Sequence, residues 1–165
     1  MRSGKSSRAR GFTYVAMLIS VAIIGIGLAG TAEVWSLAQQ REKEAELLFV
    51  GNQYRAAIGR YYDATPGGGR RYPQKLEHLI EDNRYPMPRR HLRKLYADPL
   101  TGKAEWGLME APDGGIMGVY SLSTGTPLKQ AEFGNTDRTF HQATTYGEWR
   151  FFHEPELEAP VVSAK

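Results

Sequence analysis

Between Phe12 and Ala32 the chain carries no charged residue. The run FTYVAMLISVAIIGIGLAGTA is 21 residues long, and about 20 apolar residues at ~1.5 Å each let a helix cross ~30 Å of hydrocarbon. A segment of this length so near the start is expected to form a membrane helix rather than a buried core helix. Arg2, Lys5, Arg8 and Arg10 precede it, and Glu33 is the first charge after it. That asymmetry predicts a cytoplasmic N-terminus with the bulk of the chain on the other side. A secretory signal is the competing reading, with Gly30-Thr31-Ala32 as its small-residue cleavage site and Glu33 as the mature N-terminus.

The remaining composition narrows the function classes. A chain of 165 residues is enough for one globular unit of ordinary size. Cysteine is absent, which excludes a disulfide framework, a thiolate metal site and a cysteine nucleophile. The net charge of +3 owes its sign to the four basic residues before Phe12, so it is no argument for nucleic-acid binding.

The segment from Glu33 to Thr65 contains no proline and is rich in helix formers, so the helix is expected to continue past the apolar run. An unbroken helix from Phe12 to Ala64 would be about 80 Å long. Leu47, Val50, Tyr54, Ile58 and Tyr61 recur at three- and four-residue spacing, with Leu48 and Phe49 widening the stripe. Arg41, Glu42, Lys43, Glu44, Glu46, Arg55 and Arg60 are assigned to the solvated face. Pro66 and Gly67-Gly68-Gly69 end the helix. Gly25, Gly27 and Gly30 would permit close approach of a second helix.

Beyond the glycines, Pro73 suits the first turn of a short helix carrying Leu76, Leu79 and Ile80. The dense run RYPMPRRHLRK places Arg84, Arg89, Arg90, Arg93 and Lys94 close together. Such a cluster suits phosphate or an acidic partner, or else solvates a loop and pairs with acids on a neighbouring subunit; with no aromatics beyond Tyr85 and Tyr96 it gives single-stranded nucleic acid little support. Candidate strands are 104–109, 116–122 and 147–153, rich in aromatic and branched residues, with Pro112-Asp113-Gly114-Gly115 as a hairpin turn. Trp106, Val119 or Tyr120, Trp149 and Phe151 are the residues expected to pack on the helix stripe. The fold class is therefore α+β, a long N-terminal helix on a small antiparallel sheet.

Sites for catalysis are not evident. His78, His91, His141 and His153 share no metal-ligand spacing with a carboxylate, and Ser121 and Ser123 lack a nucleophile-elbow pattern. The Pro66–Arg71 run follows a helix instead of preceding one, so it lacks the amides that cradle phosphate. No enzyme activity is expected.

A basic leader, then Gly11-Phe12-Thr13, then an apolar helix running into an amphipathic one, resembles the N-terminal signal of type IV pilins and type II secretion pseudopilins. The resemblance implies cleavage by a prepilin peptidase between Gly11 and Phe12 and N-methylation of Phe12. It implies a leader at 1–11, a transmembrane half-helix at 12–32, an amphipathic half at 33–65, a globular head at 66–154 and a flexible tail at 155–165. It further implies a single-pass inner-membrane protein with a periplasmic head, partnered by other pseudopilins or pilins and an inner-membrane assembly platform. The family usually carries glutamate five residues after the cut, where this chain has Ala16. In the family that glutamate is thought to set filament register, and less abundant subunits sometimes lack it. Tyr72-Pro73 and Asp98-Pro99 with Gly102 are similar to elements of the major pseudopilin head. There a late loop binds calcium, but here Ser123–Pro127 stands in place of aspartates and only Asn135 and Asp137 follow, so no cofactor is expected. The alternative function is a secreted or anchored periplasmic binding or adaptor domain.

Overall fold

The computed structural model describes residues 9–155 except Asp113, with the side chains of 9–11 and 26–33 outside that description. Helix α1 spans Ala9–Asp63. The chain forms two compact units, Met1–Gln40 and Arg41–Lys165.

In the first unit the described side chains from Phe12 to Gly25 are all exposed. Phe12 is 79% exposed, and Val34 and Trp35 are exposed as well. Among the described residues no helix is long and apolar enough to cross a membrane. This overturns the expected single-pass inner-membrane placement with a periplasmic head. Nothing lies within 4 Å of a Cβ built on Gly25; the surroundings of Gly27 and Gly30 lie outside the described residues.

The second unit is α+β, and its sheet has the order β1-β2-β3. Strands β1 (Gly107–Glu110), β2 (Ile116–Tyr120) and β3 (Arg150–Phe152) pair antiparallel, with Leu108 opposite Val119 and Val119 opposite Phe151. The β1–β2 connection is the expected tight turn. Gly114 and Gly115 have φ of 81° and 91°, and the Ala111 amide donates to the Gly115 carbonyl.

The helix stripe packs as its spacing requires. Leu47, Val50, Tyr54, Ile58 and Tyr61 are buried together with Trp106, Val119, Phe140, Trp149 and Phe151. Val119, not the half-buried Tyr120, is the β2 residue in this core. Gly51 lets α1 approach β3, for a Cβ there would lie 2.4 Å from the Phe151 ring. Phe49, expected to widen the stripe, is exposed, because at about 100° per residue it sits roughly 200° round the helix from Leu47, on the face turned away from the core.

Three local expectations are corrected. The strands are shorter than the residues that favour them. Trp106 instead donates its Nε1–H to the Tyr96 carbonyl, Tyr146–Glu148 forms a 3-10 turn, and the Ser121 hydroxyl turns to Asp98. Pro73 does not open a helix: its carbonyl accepts the Ile116 amide, and only a 3-10 turn follows at Leu76–Leu79. Glu44 does not belong to the solvated face, being 3% exposed. The helix end falls where proline and glycine put it, with Gly67 and Gly68 at φ of 78°.

Candidate functional site

The basic segment after the 3-10 turn is built on one buried carboxylate. Asp82 is 1% exposed and starts a tight turn in which its Oδ1 accepts the Arg84 amide. The Arg84 side chain then folds back as a fork, its Nε and Nη2 donating to the two Asp82 oxygens at 2.8 Å each. Its remaining donors reach the Thr65 hydroxyl and the Tyr61 carbonyl at 2.7 Å, and the guanidinium lies 3.5 Å from the Tyr61 ring centre. Arg84 is thus the cation that ties this segment to the end of α1. It leaves the exposed cluster that its position in the sequence suggests.

His91 completes the base. Its Nε2 is 3.1 Å from Asp82 Oδ2, and its carbonyl accepts the Arg60 guanidinium at 2.6 Å. The Asp82 and Arg89 backbones bond each other in both directions, and the His91 and Leu92 amides donate to the Leu79 carbonyl. The Tyr85 hydroxyl donates to the Ala64 carbonyl. Burial pushes the Asp82 carboxyl up, but hydrogen bonds from Arg84 and His91 outweigh it and hold the group at about 2.

On this base the four other predicted cations stand exposed. Arg89 lies 4.0 Å from the Tyr85 ring centre and Lys94 5.2 Å from that of Tyr96, so both stems are steadied by aromatic faces. Arg90 and Arg93 enter no ion pair among the described residues. Arg60, Asp63, Ala64, Arg89, Arg90 and His91 line a cleft of about 570 Å³. The neighbouring tip, Pro86-Met87-Pro88, presents Met87 at 81% exposure.

A second polar anchor was not assigned from sequence. Glu44 Oε1 accepts the Leu128 amide and the Tyr146 hydroxyl at 2.5 and 2.7 Å, while Oε2 accepts the Lys129 amide at 3.2 Å. It lies three residues before Leu47 and so continues the buried stripe, which is the signal that could have found it. The loop it holds contains Ser123–Pro127. Asp137, considered above as a calcium ligand, is buried and paired with Arg55 at 2.7 Å. No group of three metal-binding side chains occurs among the described residues.

The processing residues fall in the first unit. Gly11 and Phe12 both lie within α1; the surroundings of Gly11 and the leader up to residue 8 lie outside the described residues. Ala16 is exposed, and its carbonyl accepts the Ser20 hydroxyl at 2.8 Å. Ser121, the other buried hydroxyl of interest, donates to Asp98 at 2.7 Å and so serves to hold that buried carboxylate. No family model, curated protein or solved structure matches the chain.

Proposed function

We propose that the chain is a pilin-like structural subunit of the pseudopilin kind, which acts by assembling with similar helices in a short filament of a secretion or pilus machine. The observation that carries the reading is the band of exposed apolar side chains on α1, among them Phe12, Val15, Leu18, Ile19 and Ile23. An apolar helix surface left open on every described side requires cover, and parallel packing of like helices supplies it. Gly11-Phe12-Thr13 immediately before this band supports processing between Gly11 and Phe12 by a prepilin peptidase, with methylation of the new terminus. Ala16 in place of the family's glutamate favours a low-abundance subunit over the bulk filament protein. Its partners would be the peptidase, other pilin-like subunits and an assembly platform, and its role mechanical.

The test is the N-terminal peptide of the protein, read by mass spectrometry with and without co-expressed prepilin peptidase. A peptidase-dependent start at Phe12 carrying one extra methyl is the expected result. A start at Glu33, or an intact Met1 in the presence of the peptidase, abandons the reading in favour of an adaptor domain.

A further inference from the structure

We infer that the Pro86–Lys94 loop is a preorganised docking surface for an acidic protein partner that carries a pocket for Met87. The inference goes beyond filament assembly and does not depend on it.

Three observations converge. From Arg84 to Ala97 the sequence contains five Lys or Arg and no Asp or Glu. Arg84 is consumed internally by Asp82, which leaves Arg89, Arg90, Arg93 and Lys94 exposed, with Arg90 and Arg93 lacking an internal counter-ion among the described residues. A cationic field of this kind attracts acidic surfaces and speeds their encounter.

The second observation is an apolar side chain two residues before the first of these cations. Among the described residues of the second unit Met87 is the most exposed large hydrophobic side chain, at 81%. Its flexible thioether adapts to irregular apolar pockets. Proline on each side restricts the backbone that presents it.

The third is the rigidity of the platform. The Asp82–Arg84 fork, the Arg60–His91 bond, the Tyr85–Ala64 bond and the paired Asp82 and Arg89 backbones fix the loop at several points. A loop already held in one conformation loses little freedom on binding. A phosphate or lipid surface has no use for such a fixed apolar anchor, since binding to lipid scales with the apolar area inserted and one methionine supplies little. An exposed methionine beside guanidiniums matches the composition of protein interfaces, which are enriched in Met and Arg and surround an apolar core with a polar rim.

The test replaces Met87 in the full-length chain by the photocrosslinker p-benzoylphenylalanine, in the cells that naturally express the protein. Irradiation should give a discrete adduct with a different protein, and mass spectrometry should place the crosslink in a net-acidic segment. Arg89→Glu with Arg90→Glu should lower the adduct yield at least tenfold, while Arg89→Lys with Arg90→Lys retains most of it. These side chains are exposed, and an unchanged melting temperature for both pairs separates loss of docking from loss of fold. The inference is overturned by an adduct with lipid or with another copy of this chain. It is equally overturned by a partner segment without net negative charge, by a yield no greater than from a crosslinker at exposed Glu105, or by an adduct indifferent to the charge reversal.

Discussion

The Glu44 carboxylate on α1 accepts the Tyr146 hydroxyl at 2.7 Å, joining residues 102 positions apart in sequence. Because the same carboxylate also takes the Leu128 and Lys129 amides, one helix side chain organises a loop that has no regular structure of its own. A carboxylate saturated by three donors offsets the cost of its burial.

Glu44→Ala therefore leaves two amides and a hydroxyl without their acceptor, and should destabilise the fold by roughly 2–4 kcal/mol. Glu44→Gln keeps an acceptor at one position and should cost less. Urea denaturation followed by tryptophan fluorescence gives the magnitude. Hydrogen exchange locates it, since the Leu128 and Lys129 amides should lose protection before those of β2. Equal stability of Glu44→Ala and the parent chain would show that the loop is held by other contacts.

Gly51 faces the Phe151 ring, where a Cβ would come within 2.4 Å. Gly51→Ala gains helix propensity but must push α1 from β3, and overpacking of this kind costs typically ~1–3 kcal/mol. Phe151→Leu in the same chain relieves the clash, so the double variant should be more stable than the sum of the two single changes. Additive effects in a denaturation cycle would count against direct packing at this point.

Asp82 is held at about 2, below its usual 3.8. A carboxyl whose folded value is depressed contributes stability that is fully present above about 4 and is lost as pH falls from there through about 2. The amount is about 2 kcal/mol in order of magnitude. Asp82→Asn should flatten the fall in stability between pH 4 and pH 2, and it should also lower stability at neutral pH because Arg84 loses its ion pair. An unaltered acid profile would place the titration on another carboxylate.

Ala16 connects to the proposed assembly. If the missing charge limits self-association, Ala16→Glu should increase filament formation when the chain is expressed with its peptidase and partner subunits. Electron microscopy of sheared cell-surface material reads the difference. Filament numbers equal to those of the parent chain would mean that register is set by other residues.

Much of the architecture is local physics and is legible in the chain itself. The unbroken run of helix formers produces α1, Pro66 with its following glycines stops it, and three- and four-residue spacing selects Leu47, Val50, Tyr54, Ile58 and Tyr61 for the core. Gly114 and Gly115 make the hairpin because positive φ costs glycine little. Each of these outcomes depends on neighbours within a few residues. The tertiary structure decided what depends on distant partners. Glu44 is acidic and reads as a surface residue until donors more than 80 positions away are brought to it. Arg84 reads as one cation among five until Asp82, Tyr61 and Thr65 engage all three nitrogens of its guanidinium. The charge-free run likewise marks an apolar helix, while among the described residues no helix is long and apolar enough to cross a membrane. Sequence patterns report periodicity and turn chemistry; the fate of a charged side chain is set by which buried groups the fold places within hydrogen-bonding reach, and that is a property of the assembled core.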